Sequence, residues 1–367
     1  MNKGNSPICQ VSFLNKAASL VSALEGRDGR VIGKAPKFTM DLKRISKDDF
    51  LSNLASEKRP WQGDYLAMYS SQWRGFVTDP ALMMVPVDDH LVHRGDGVFD
   101  VMRCVRGKIY QMEAHLQRLE RSAKSISLDL PSEYRQIRDI LKTLILEGGE
   151  SDCLARIILS RGPGSFSTNP FECPSSQMYV VVSRYHSLPV KCYQEGIPIV
   201  TSKIPIKKSY FATIKSCNYL PNVLMKMEAI QSECKYSVAL DEEDCLAEGS
   251  TENVGVVSGD GILKFPGFEK TLAGITVKRI FELAEVLVRE GVIQDVRFEK
   301  IPLDEAYLCS EVILFGTSIN ALPVVSFDGK TIGVGAPGPV FSKLSSLLRQ
   351  DMSENEDLLT SIDWEAK

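Results

Sequence analysis

From residue 65 to residue 351 the chain alternates short apolar runs of strand length with a few amphipathic stretches of helix length, and no GxGxxG turn follows the first strand. That pattern argues against a doubly wound dinucleotide-binding sheet and predicts a mixed α/β protein built in two layers. Residues 73–77 and 83–87 read as strands, and 98–105 with 108–111 as a hairpin turning at Arg106-Gly107. Helical periodicity covers 113–127, 132–147, 220–234, 276–289 and 342–351. Further strands are predicted at 154–159, 178–182, 196–202, 236–240, 254–258, 262–265 and 311–315, with a hairpin at 324–332. A short polar stretch, 185–189, closes on Pro189 and marks the domain boundary. The expected organisation is an N-terminal extension over 1–63, partly disordered but with a helical lead-in at 46–56. A smaller α/β domain over 64–186 and a larger domain over 187–350 follow, then an acidic tail over 351–367 whose last dozen residues are expected to be mobile.

Composition narrows the classes of function. A chain of 367 residues, 44% hydrophobic and 25% charged with a net charge of −4, can bury two ordinary cores and has no polyanion-binding bias. No basic run interleaved with aromatics points to nucleic acid, and no apolar run approaches bilayer length. The nine cysteines show no CxxC pair and no zinc-type spacing, so no metal is expected and the thiols read as reduced. Cys217 reads as a packing residue, because none of the four histidines is placed by the sequence to serve it as a base.

The chemistry sits in a lysine and a glutamate. Lys215 lies in Ile214-Lys215-Ser216-Cys217-Asn218-Tyr219, among apolar and small neighbours that can desolvate its amine and free it for Schiff-base chemistry. Downstream, Ala247-Glu248-Gly249-Ser250-Thr251-Glu252-Asn253 supplies an anion able to keep a pyridine nitrogen protonated. Pyridoxal 5'-phosphate (PLP) needs both partners and a phosphate cradle. Gly274-Ile275-Thr276 opens a helix, Gly316-Thr317-Ser318 follows a strand, and Arg118 lies in a helical stretch. Taken singly these are a helix cap, a turn and a surface arginine. Together with Lys215 and Glu248 they form the parts of an anion site at a helix N-terminus.

In their order, these motifs resemble the fold-type IV PLP enzymes, the class of branched-chain aminotransferases, D-amino acid aminotransferases and aminodeoxychorismate lyases. The resemblance covers residues 65–348 and also rests on Arg94-Gly95-Asp96-Gly97-Val98-Phe99-Asp100 and His115-Leu116-Gln117-Arg118-Leu119. It implies a two-domain fold-type IV enzyme of D-amino acid aminotransferase-like fold, a homodimer that moves an amino group between a small amino acid and a 2-oxo acid by a ping-pong route, as branched-chain aminotransferases do. Lys215 is then the catalytic lysine that carries PLP. Glu248 binds the pyridine nitrogen, Arg118, Ile275, Thr276 and Thr317 hold the phosphate, Thr251 lines the cofactor, and Tyr219 approaches its phenolic oxygen. Lyase or D-amino acid transaminase activity on the same site is the alternative, and a PLP-holding protein without turnover is a third reading.

Substrate choice stays open at this point. The loop Arg161-Gly162-Pro163-Gly164-Ser165-Phe166-Ser167-Thr168 lacks the Arg-x-His carboxylate trap of bacterial D-amino acid aminotransferases. It resembles plant members of the class, as does the run from Ala212 to Leu224. Phe99, Arg161 and Phe166 are the substrate-side candidates, with Arg94 and Arg103 as further arginines for a carboxylate. The expected compartment is the cytoplasm, or a plastid if residues 1–24, which lack Asp and Glu, act as a transit signal.

Overall fold

A computed structural model describes residues 42–56 and 59–366. Contacts divide the chain into two compact units at Ser52/Asn53. Of the first unit, the described part begins the helix Lys47–Ser56, close to the predicted lead-in. There Ser46 and Asp49 cap each other's amides in a reciprocal box. The possible transit signal lies outside the described residues.

The second unit carries sixteen described strands: β1 (Tyr65–Ser70), β2 (Gly75–Val77), β3 (Gly97–Val105), β4 (Lys108–Tyr110), β5 (Cys153–Ser160), β6 (Gln177–Arg184), β7 (Ile197–Thr201), β8 (Tyr236–Leu240), β9 (Leu246–Gly249), β10 (Asn253–Val257), β11 (Ile262–Phe265), β12 (Asp295–Phe298), β13 (Glu311–Gly316), β14 (Asn320–Phe327), β15 (Lys330–Thr331) and β16 (Leu359–Ser361). They form two sheets, as a mixed α/β architecture requires. The first has the order β16-β4-β3-β5-β6-β1-β2 and is antiparallel throughout. The second has the order β12-β11-β10-β13-β14-β7-β8-β9. Its last strand returns to β10 through the pair Glu248–Asn253, so six strands close into a ring.

Strand alternation decides what each face of the first sheet does. In β3, Val98, Met102 and Cys104 are buried, and in β5 so are Cys153, Ala155, Ile157 and Leu159. These pack with Leu116 and Leu119 of the helix Met112–Ser125 and with Leu141, Leu144 and Ile145 of the helix Ile137–Gly148. A period of two therefore turns Phe99, Val101, Leu154, Arg156 and Ile158 to the other face. The register places Phe99 opposite Ile158 and Val101 opposite Arg156. The β3–β4 turn forms as predicted, with Arg106 at φ 49° and Gly107 at φ 77°, the two positive values a two-residue hairpin of this hand requires.

Two expectations are corrected. Residues 83–87 are not a strand: a turn of 3-10 helix, Pro80–Leu82, capped by Asp79, leads into an irregular segment, and Pro86 has no N–H to give a ladder. The acidic end is not mobile over its described part. The helix Pro339–Glu354 is followed by β16, which pairs with β4, and Trp364 Nε1 donates to the Gly107 carbonyl at 3.3 Å. Its apolar residues decide this, because Leu359 and Ile362 are buried in the two neighbouring cores and outweigh the preference of the acids for solvent.

Candidate active site

The free edge of β3 fixes the lysine loop. The Phe99 N–H donates to the Lys215 carbonyl and the Cys217 N–H donates to the Gly97 carbonyl, each at 2.9 Å. The Lys215 N–H reaches Ser122 Oγ at 3.2 Å. Backbone held on both sides leaves only the side chain to move, and it enters a cavity of about 510 Å³ lined by Phe99, Val101, Arg118, Arg156, Tyr219, Thr276 and Thr317 among others. Lys215 Nζ lies 3.4 Å from Tyr219 Oη and 4.9 Å from the centre of the Phe99 ring. Phe99 and Tyr219 meet edge to face at 5.0 Å.

One end of the cavity is built for an anion. The helix Ile275–Arg289 starts at Gly274, and no side chain caps it, so its first-turn amides are left for a ligand. Gly274 is required by close approach, because a Cβ there would collide with Asn253 Oδ1. The Asn253 amide donates to the Leu272 carbonyl at 3.0 Å and holds the approach to the helix in place. Thr276 and Thr317 line the same cavity, as does Arg118. Arg118 is aimed by Asp100, which accepts from its Nε and one terminal nitrogen, both at 2.8 Å. Asp100 also accepts from His115 Nδ1 at 2.7 Å. Burial works against the Asp100 carboxylate, but Arg118 and His115 more than offset it and hold the carboxyl well below its ordinary value.

Lys215 and Glu248 show opposite electrostatic shifts. Burial lowers the Lys215 amine to about 8, with Arg118 adding to the effect and Asp100 and Glu248 opposing it. Burial raises Glu248 to about 7, against the pull of the Leu272 amide, which donates to it at 2.9 Å, and of Lys207 and Lys215. A buried carboxylate raised this far gains from a nearby cation, and a protonated pyridine nitrogen is one. Glu248 lines a small chamber that shares Lys215, Tyr219, Thr251 and Leu272 with the larger cavity. The Thr251 hydroxyl and amide both donate to the buried Glu252, which fixes the turn after Glu248.

Of the residues read from sequence, Arg118, Lys215, Tyr219, Thr251, Ile275, Thr276, Thr317 and Phe99 share the larger cavity, and Glu248 adjoins it. Two substrate-side candidates lie elsewhere. Arg161 is committed to Asp96 through two nitrogens at 3.1 Å and to the carbonyls of Ile126 and Ser127, and Phe166 is exposed against His93. Arg94 and Arg103 do not line the larger cavity either. The arginine that does, besides Arg118, is Arg156. Its place between Leu154 and Ile158 on one face of β5 is readable from strand alternation. Asp100 and His115 also went unassigned from sequence, although both stand inside the quoted motifs. Among the described residues no group of three or more His, Cys, Asp or Glu could hold a metal ion.

Comparison with known proteins gives this site its family. The model of the family described as amino-transferase class IV matches residues 97–327, and the chain belongs to that family. It is 39% identical over 291 residues to the chloroplastic D-amino-acid transaminase of Arabidopsis thaliana, which spans 78% of this chain and 77% of that one. It is 29% identical over 274 residues to a putative branched-chain-amino-acid aminotransferase of Methanocaldococcus jannaschii, with 74% and 92% covered. The T.th. branched-chain amino acid aminotransferase, solved with N-(5'-phosphopyridoxyl)-L-glutamate, matches with a TM-score of 0.74 at 24% identity, over 82% of this chain and 99% of that one. This last likeness shows the fold. The fold-type IV architecture and the aminotransferase class, both expected from the motifs, are borne out.

The Asp100–Arg118 pair carries a pH signature. The folded-state value of Asp100 lies below the ordinary 3.8, so its stabilisation is fully present above about pH 4 and is lost as pH falls through the folded value. Asp100→Asn is expected to cost roughly 3 kcal/mol near neutral pH, because it leaves Arg118 uncompensated. It is also expected to flatten the fall in stability below about pH 4. Urea unfolding over this range measures both, and a variant with the wild-type acid slope would contradict the assignment.

Proposed function

We propose that this chain moves an amino group between a small amino acid and a 2-oxo acid in two half-reactions at the cavity between Lys215 and the helix Ile275–Arg289. The observation that carries the reading is that one cavity system joins a lysine with a lowered pKa, a carboxylate with a raised one and an uncapped helix N-terminus beside an aimed arginine. These residues fit PLP in size and charge.

When bound, PLP supplies an electron sink and carries the amino group between the half-reactions. Arg118, the amides of Ile275 and Thr276 and the Thr317 hydroxyl are the groups to hold its phosphate. Glu248 would hold the proton of the cofactor's ring nitrogen as an ion pair. Lys215 anchors the cofactor. Its neutral amine would be the base that takes the proton from the substrate Cα, and a value of about 8 keeps that amine available near neutral pH. The Tyr219 hydroxyl lies within reach of Lys215 Nζ to orient it, and Phe99, Val101 and Ile158 make the apolar wall that excludes water. Arg156, exposed and without an ion pair among the described residues, is the group to receive a substrate carboxylate.

A second reading, action on D-amino acids, is favoured by the Arabidopsis relative's name. The same name favours the plastid over the cytoplasm, and no described helix is long and apolar enough to cross a membrane. The split into a smaller domain over 64–186 and a larger one over 187–350 belongs to this reading. It is supported by the first sheet drawing β1 to β6 from the former and the second drawing β7 to β15 from the latter. So does a homodimer, supported by the exposed apolar stripe Leu220, Val223, Met227 and Ile230 on one helix. Sedimentation velocity is expected to give a dimer, and a monomer at micromolar concentration would remove that part.

Two variants separate the roles. Glu248→Gln is expected to keep PLP but lose turnover by about a hundredfold or more, because an amide cannot hold the ring proton as an anion does. Arg156→Leu is expected to leave PLP binding intact and raise KM for the 2-oxo acid by about tenfold or more. Steady-state assays over a panel of L- and D-amino acids read both. Near-normal kcat in the first variant, or unchanged KM in the second, would overturn the corresponding role.

A further inference from the structure

Lys207 belongs to no motif, yet it points inward. In the run Lys203-Ile204-Pro205-Ile206-Lys207-Lys208, Lys203 and Lys208 are exposed and Lys207 is half-buried. It lines the small chamber with Lys215, Tyr219, Glu248 and Glu252. Its Nζ lies 4.9 Å from the centre of the Tyr219 ring, while the hydroxyl of the same tyrosine lies 3.4 Å from Lys215 Nζ. One phenol therefore touches two ammonium groups, one at its ring and one at its hydroxyl. Among the described residues Lys207 forms no ion pair within 4.0 Å, so its charge acts through space on the groups around it.

We propose that Lys207 is a positioning residue of this site, a second cation that sets the charge carried by both Lys215 and Glu248. The proposal rests on the reading that those two residues hold PLP. The surrounding charges leave room for such a role. Arg118 is neutralised by its two bonds to Asp100. Facing Lys215 are Arg118 and Lys207 on the positive side and Asp100 and Glu248 on the negative side. Facing Glu248 are Lys207 and Lys215 on the positive side and Glu252 on the negative side, with Lys226 drawing on Glu252 from the next helix. Lys207 thus favours the neutral amine at Lys215 and the anion at Glu248, the two states the transfer needs. Burial depresses Lys207 itself, and Glu248 opposes that loss, so the effect is reciprocal.

The test uses the full chain without cofactor. Trace labelling with isotopic acetic anhydride across pH, read by mass spectrometry of the Lys215 peptide, gives the titration midpoint of Lys215. In Lys207→Met, and in Lys207→Gln should the first variant not fold, the midpoint is expected to rise by about 0.3 unit, roughly twofold less neutral amine at a given pH. Lys207→Arg, which keeps the charge, is expected to restore the wild-type midpoint. The pH titration of the visible band in the PLP-loaded protein is expected to move the same way. An unchanged midpoint in both neutral variants, or a shift that Lys207→Arg does not reverse, would overturn the proposal. A protein that never binds PLP would count against the function proposed above, while the labelling result would still decide the role of Lys207.

Discussion

Strand β3 serves three neighbours at once, and the site depends on that. Its hydrogen bonds on one side join β5 in register. The other edge at its start takes the Lys215 loop through the Gly97 carbonyl and the Phe99 amide. Its alternating side chains send Asp100 toward the helix that carries Arg118 and send Phe99 and Val101 into the cavity. A one-residue slip of β3 would exchange these faces, moving the anchor of the arginine into the cavity and the cavity wall into the helix core. Burial of Val98, Met102 and Cys104 beneath two helices makes that slip costly, so hydrophobic packing far from the chemistry fixes the geometry of the chemistry.

The same burial that holds the fold sets the charges. Lys215 and Glu248 are both desolvated, and desolvation moves them toward each other, one down to about 8 and the other up to about 7. Neither has a close ion pair among the described residues. Asp100 is buried more deeply still but has Arg118 and His115 against it, and it moves the opposite way from Glu248. Two carboxylates within one site thus differ because one already has its cation and the other is shaped to receive one.

Much of this was legible in the sequence where a residue type is demanded by chemistry or by a local turn. Lys215, Glu248, Arg118, Thr276 and Thr317 stand in short runs that together suggested one site, and the structure brings them to one cavity system, while helix and strand periods placed the major elements. What was not legible depends on register and on long-range contact. Asp100 was written inside a quoted motif, but its role needs the fold to bring His115 and Arg118 beside it. Arg156 follows only from knowing which face of β5 meets the cavity. Lys207 looks like its exposed neighbours Lys203 and Lys208 until the chain turns it inward. Arg161 misled in the opposite way: a well-placed loop arginine is consumed by Asp96 and two carbonyls. In the acidic end, charge suggested solvent while Leu359 in β16 and Ile362 just after it are buried in the two cores and tie the segment into the structure.

With two half-buried lysines flanking one tyrosine, the central claim is that Lys215 and not Lys207 carries the cofactor. Borohydride reduction of the PLP-loaded protein, followed by peptide mapping, tests this directly by converting the lysine–cofactor link into a permanent mass increment. The account predicts a single tag on the peptide containing Lys215. A tag on Lys207, or no tag on a protein that has taken up PLP, would contradict it.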